Sequence, residues 1–179
     1  MFLCGRSGLT EKAQAYELLE WAVRTQWNME QLPPMERLPG GKPQFSSGKG
    51  PQFNLSHSGG YALCAVDDLP VGVDIQTVRE LRPHLPEKVC SAAELEWLNR
   101  QEDRWRGFAR LWALKESFVK QRGGSIIVPG SAIRALDVPL PEAGLLRRGE
   151  LWFRCFSGSD WEAAVCGLSM PPEGIFWEK

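Results

Sequence analysis

The chain has 179 residues, a formal net charge of −1, 43% hydrophobic residues and 24% charged residues. This suits one folded domain, or two small halves sharing a core, and excludes a disordered or fibrous chain. So balanced a charge leaves no general footprint for nucleic acid or an anionic membrane, so any grip on a polyanion must come from a few cations converging locally.

Charged residues interrupt the first helical pattern, so it does not read as a signal peptide, and no run approaches the roughly 18 apolar residues needed to cross a bilayer. The five cysteines (Cys4, Cys64, Cys90, Cys155, Cys166) are scattered and include no Cys-x-x-Cys pair. They predict neither a zinc site nor a disulfide framework, and a reducing, cytoplasmic setting suits them.

In chain order, Thr10 is placed to cap a helix running to about Trp27, with Ala15, Leu18, Leu19, Ala22, Val23 and Trp27 as its apolar stripe. A Pro- and Gly-rich loop covers residues 32–50. Strands are expected at Gln52–His57, Tyr61–Asp67 and Val71–Gln76, the first two joined at Ser58-Gly59-Gly60 as a hairpin. Thr77–Lys88 reads as a crossover. Ser91 and Glu94 have capping-box spacing and open a short helix to about Asn99. A longer helix runs from about Arg104 to Arg122 and stops at Gly123-Gly124. Strands follow at Ala132–Val138, Glu150–Phe156 and Trp161–Gly167.

Phe156-Ser157-Gly158-Ser159 leading to Ala164-Val165-Cys166 echoes Leu55-Ser56-His57-Ser58 leading to Ala62-Leu63-Cys64. The expected architecture is therefore α+β: two similar halves with antiparallel sheets, residues 1–80 and 81–179.

Four clusters carry chemistry. In Val71-Gly72-Val73-Asp74-Ile75-Gln76 the apolar residues share one strand face, leaving Gly72, Asp74 and Gln76 on the other. A carboxylate there suits a hard cation such as Mg²⁺, which takes one or two protein carboxylates and leaves other positions to water and phosphate oxygens; an exposed strand face is the plainer alternative. On the long helix, Lys115 falls inside the stripe of Phe108, Leu111, Trp112, Phe118 and Val119, where a lysine must be paired or reach out. Glu116 and Lys120 share one edge of that stripe, at the spacing of an ordinary i, i+4 pair. Ser56, His57 and Ser58 sit at a hairpin tip, without the Gly-x-Ser-x-Gly of a nucleophile elbow. Lys42 lies on the loop Gly40-Gly41-Lys42-Pro43, which is not a Walker P-loop.

Taken in order, Gly-Lys-Pro-x-Phe (41–45), Phe-Asn-Leu-Ser-His-Ser (53–58), Val-Gly-Val-Asp-Ile (71–75) and Trp-Ala-Leu-Lys-Glu-Ser-Phe-Val-Lys (112–120) resemble the 4′-phosphopantetheinyl transferases. The likeness is to the larger, monomeric surfactin-synthetase-activator type and covers residues 40–128 best. It implies transfer of 4′-phosphopantetheine from coenzyme A to a serine of an apo acyl- or peptidyl-carrier protein, in fatty-acid, polyketide or nonribosomal-peptide synthesis, with release of adenosine 3′,5′-bisphosphate. It also implies a site in the cleft between the two halves, where coenzyme A binds. By motif, Asp74 and Glu116 would bind Mg²⁺ with the diphosphate, while Lys42, Ser56, His57 and Lys120 would bind phosphates. Glu116 would take the serine proton, directly or through a water, with Lys120 also in the catalytic set. Lys115 would fix Glu116's surroundings or reach the phosphates.

Two departures stand out. Gln76 occupies a position where many relatives carry a third acid, so it would serve the metal as an amide. The lead-in is short, leaving Arg6, Lys12 and Arg24 as the basic residues on offer for the 3′-phosphate of coenzyme A. Carrier docking is expected around Arg79, Arg82, Lys88 and the helix Ser91–Asn99. A metal-dependent pyrophosphate hydrolase and an inactive coenzyme A- or carrier-binding module remain the alternative readings.

Overall fold

The computed structural model describes residues 1–11, 13–46, 50–124 and 130–178. Lys12, one of the three basic residues of the lead-in, lies outside them. The elements are β1 (Phe2–Ser7), α1 (Gln14–Trp27), β2 (Met35–Arg37), β3 (Pro43–Phe45), β4 (Gln52–Ser58), β5 (Tyr61–Asp67), β6 (Val71–Thr77), α2 (Leu85–Val89), α3 (Ala92–Asn99), α4 (Arg104–Gln121), α5 (Gly130–Arg134), β7 (Leu145–Arg148), β8 (Leu151–Ser157), β9 (Trp161–Gly167) and β10 (Phe176–Trp177). One four-stranded sheet runs β10-β1-β5-β4 and another β6-β9-β8-β7, with β2-β3 as a small separate hairpin. Their pairing is antiparallel except for the short parallel match of β1 with β10.

The layers follow from strand alternation. On β5, Ala62, Cys64 and Val66 pack under α1 with Leu18, Leu19, Ala22 and Val23, while Leu63 and Ala65 turn to the other sheet. On β6 and β9, Val71, Val73, Ile75, Ala163 and Val165 meet them. The reverse face of β9 (Ala164, Cys166) packs under α4 with Ala113, Leu114 and Phe118. The order is helix, sheet, sheet, helix, and it explains why β5 and β9 are apolar almost throughout: both faces are covered. β6, from the first half of the chain, belongs to the second sheet, and β10, from the end of the chain, belongs to the first.

Two expectations need correcting. Thr10 does not cap α1; the helix starts at Gln14, whose Oε1 instead accepts from the Thr10 and Glu11 backbone N–H groups. The strand expected at Ala132–Val138 is absent: Gly130–Arg134 forms a helical turn and buries Ile133. A short apolar run does not distinguish strand from helix. The loop at 32–50 also contains the β2–β3 hairpin, whose turn uses Gly41 at φ +84.

Candidate functional site

The edges of the two sheets meet along β4 and β6, and side chains rather than backbone close the seam. Asn54 Oδ1, Ser56 Oγ and Ser58 Oγ, spaced two apart on β4, accept from the backbone N–H groups of Val73, Ile75 and Thr77 at 2.8, 3.3 and 3.1 Å. On the same edge the carbonyl of Val71 accepts from Lys42 Nζ at 2.8 Å and that of Val73 from Lys120 Nζ at 3.4 Å. These carbonyls are two residues apart on one edge of β6, so the two ammonium groups are bonded to the same strand edge.

Asp74 lies on the α4 face of β6 and is only 2% exposed. Its Oδ1 takes Ser56 Oγ at 2.7 Å and Lys120 Nζ at 2.6 Å, while Oδ2 takes Gln76 Nε2 at 2.7 Å. Gly72 permits this closeness, since a Cβ there would stand 2.0 Å from the carbonyl of Ser117 on α4. Glu116, one turn before Lys120, makes no hydrogen bond or ion pair among the described residues. Burial, and then the facing Asp74 carboxylate, push its pKa up to about 7, with Lys120 opposing them.

α4 ends in a Schellman turn, with Gly124 N–H on Val119 O and Gly123 N–H on Lys120 O, and Gly123 at φ +79. The Lys42 turn rests on it: a Cβ at Gly40 would come 2.2 Å from Gly123 O. Lys42, Asn54, Glu116 and Lys120 thus line one cleft of about 280 Å³. His57 lies elsewhere. It follows Ser56 on a strand and so faces the other way, into a small hollow with Leu9, Thr10 and Glu11. Arg6 is held by Glu17 and Glu178, and Arg24 by Glu20.

Residues 70–166, more than half of the chain, match the family model described as the 4′-phosphopantetheinyl transferase superfamily. The chain belongs to that superfamily. Among curated proteins, it is 33% identical over 91 residues to 4′-phosphopantetheinyl transferase Sfp of Bacillus subtilis, covering 50% of this chain and 41% of that one. It is 40% identical over 88 residues to 4′-phosphopantetheinyl transferase psf-1 of Bacillus pumilus, covering 48% and 38%. The match to 4′-phosphopantetheinyl transferase AcpT of Salmonella typhimurium is 42% over 118 residues, covering 63% and 59%. The chain therefore spans about two fifths to three fifths of the length of these relatives.

In this member of the superfamily, Lys115 turns away from the cleft. It is 1% exposed, pairs with Glu94 Oε2 at 2.7 Å, and donates to the carbonyls of Val89 and Ile133. Glu94 Oε2 also accepts from Ser91 N–H at 2.6 Å, so the capping glutamate doubles as the partner of the buried lysine. Sequence reasoning recognised the cap and the buried lysine but not their union, which requires α3 to be folded against α4. It also missed fully buried Glu162, held by Arg106 and Arg110 at 2.7 and 2.9 Å.

Oxygen ligands for a divalent cation would come from the Asp74 and Glu116 carboxylates, the former already engaged by Ser56, Lys120 and Gln76. Lys120 pairs with Asp74, and Glu116 has no hydrogen-bond donor among the described residues. Among the described residues no group of three or more His, Cys, Asp or Glu could hold a metal, so a cation here would have Asp74, Glu116 and the Gln76 amide to draw on. No helix of the described residues is long and apolar enough to cross a membrane.

Proposed function

We propose that the protein transfers 4′-phosphopantetheine from coenzyme A to a serine of an apo acyl- or peptidyl-carrier protein, releasing adenosine 3′,5′-bisphosphate. The observation that carries this is the convergence of Lys42, Glu116 and Lys120 on one cleft at the seam between the sheets, with Asp74 paired to Lys120 behind its wall. Two ammonium groups on the wall of one cleft suit the spread negative charge of a diphosphate, and phosphoryl-type transfer needs positioning and charge neutralisation more than covalent help. Asp74, Glu116 and Gln76 would hold Mg²⁺, which supplies Lewis-acid neutralisation of the diphosphate.

The roles of the chain's own residues follow from their geometry. Ser56 fixes Asp74 while its oxygen accepts from Lys120 and Ile75. Glu116, which faces Asp74 from the cleft wall, would accept the serine proton, directly or through a water. Beside Gln76, an apolar slot of about 200 Å³ lined by Leu81, Leu85, Trp105, Phe108 and Trp112 suits the uncharged pantetheine arm. Arg79 borders that slot, and Arg82 and Lys88 are exposed nearby, a basic rim for an acidic carrier. His57 would meet a phosphate only at an outlying part of coenzyme A.

We read residues 1–80 and 81–179 as duplicated halves of a monomer with the cleft between them, each half lending one strand, β6 and β10, to the other's sheet. The five buried free cysteines suit a reducing cytoplasm. A hydrolase using two metals needs a denser carboxylate cluster than Asp74 and Glu116 provide. The deciding experiment incubates the protein with coenzyme A, Mg²⁺ and an apo carrier, then weighs the carrier. A gain of one phosphopantetheine is expected. Cleaved coenzyme A with an unchanged carrier would mean a hydrolase, and no reaction would mean a binding module.

A further inference from the structure

A second hollow, of about 480 Å³, meets the transfer cleft at Lys42. Gln52, Gln121 and Arg122 contribute to its walls, together with Leu38 and Pro70, and its described lining contains two cations and no carboxylate. Gln44 also borders it, but that amide already donates to Glu36 at 2.8 Å.

Lys42 is only 8% exposed, yet among the described residues it makes no ion pair and donates to one backbone carbonyl, that of Val71. A buried ammonium ordinarily takes a carboxylate, because one carbonyl repays little of its lost hydration. Burial accordingly draws the Lys42 pKa down to about 8. Arg122 makes no ion pair either among the described residues; its guanidinium lies 4.4 Å over the Phe118 ring. The two cations come from different elements, the β2–β3 turn and the end of α4; burial pushes the Cys166 thiol up to about 12, with Arg122 and Lys42 opposing it. Lys42 is buried and Arg122 exposed, and the two converge on a space whose described lining offers them no carboxylate.

We propose that this hollow is a second oxyanion site, in which Lys42 and Arg122 take a phosphate group, either as inorganic phosphate or as a small phosphate monoester. The planar guanidinium fork suits such a group, and the Gln52 amide supplies a donor from the facing wall. The site itself rests on side-chain positions alone. Its consequence rests on the transfer reading: a phosphate here competes for the lysine that the cleft shares, so it and coenzyme A would weaken each other's binding by the same factor.

The test titrates the intact protein with inorganic phosphate at constant ionic strength, following the amides of Gln52, Gln121 and Gly123 by ¹H–¹⁵N spectroscopy. A saturable shift with a dissociation constant of about 1 mM is expected. Arg122→Gln should weaken it about tenfold, and Lys120→Gln, in the transfer cleft, should leave it unchanged. Glycerol 3-phosphate in place of phosphate distinguishes the sources, since tighter binding marks a monoester site and weaker binding an inorganic one. A shift that fails to saturate, or that chloride reproduces, overturns the proposal. So does a response lost in Lys120→Gln but kept in Arg122→Gln, because the phosphate would then sit in the cleft. If the spectrum shows that Arg122→Gln disturbs the fold, Gln52→Leu takes its place, and undiminished phosphate binding in that variant overturns the site.

Discussion

Lys120 Nζ lies 2.6 Å from Asp74 Oδ1, and Glu116, one helical turn earlier, faces the same carboxylate with no donor among the described residues. The i, i+4 spacing of Glu116 and Lys120 suggests a helix-surface pair, but the lysine goes to the strand instead. A nearly buried Asp74 has more to lose from being unpaired than a half-buried glutamate at the cleft wall. The result is one neutralised carboxylate beside one that titrates near neutrality.

That arrangement sets a pH dependence. Glu116 has a folded-state pKa of about 7 against an ordinary value of 4.5, so the native state holds this proton more tightly than the unfolded chain. Stability of the metal-free protein should therefore fall as pH rises from about 4.5 to 7, by about 2 kcal/mol once solvent screening at the cleft is allowed for. Glu116→Gln should remove this slope. Denaturant unfolding of both proteins at pH 5 and pH 8 checks it, and parallel pH profiles would count against the placement of Glu116.

Gly72 is the contact that brings α4 onto β6. Gly72→Ala should cost at least about 3 kcal/mol, because its Cβ meets the backbone of Ser117 and Gln121 rather than a side chain that can swing away. Thermal unfolding reads the cost. A near-neutral substitution would show that the helix can retreat from the strand freely.

The buried Lys115–Glu94 pair holds α4 to α3, and to the carbonyls of Val89 and Ile133. Lys115→Met alone should cost about 3–5 kcal/mol by leaving Glu94 charged and buried, whereas Lys115→Met with Glu94→Leu should recover part of that loss. A double-mutant cycle measures the coupling. Additive losses would mean that the two side chains do not act as a pair.

Gln76 donates to Asp74 Oδ2 at 2.7 Å, where a glutamate would place a like charge. Gln76→Glu should lower the stability of the metal-free protein and raise the gain in melting temperature on adding Mg²⁺, along with a lower Mg²⁺ requirement for half-maximal rate. An unchanged response to Mg²⁺ would remove Gln76 from the metal site.

Much of this was legible in the residues themselves. Strands β5 and β9 follow from apolar runs between turn residues, α3 from its capping box, α4 from its stripe and paired glycines. Lys115 was recognisable as buried from its place on the helical wheel. What local pattern could not supply was anything that depends on distant pairing. β1 is six residues containing Cys, Gly and Arg, and it forms a strand because β5 and β10 flank it. Lys42 and Lys120 are far apart in the chain and become neighbours only through the free edge of β6. The His57 case differs, because strand alternation alone separates it from Ser56, so proximity in sequence was a poor guide to a shared site.

The most direct measurement is the rate at which Glu116→Gln loads an apo carrier with phosphopantetheine, followed by intact mass beside the wild-type protein at saturating coenzyme A and Mg²⁺. If the cleft of Asp74, Glu116 and Lys120 is where transfer occurs, the rate should fall at least about 100-fold while the variant remains folded. A folded Glu116→Gln protein that loads the carrier as fast as the wild type would contradict the account.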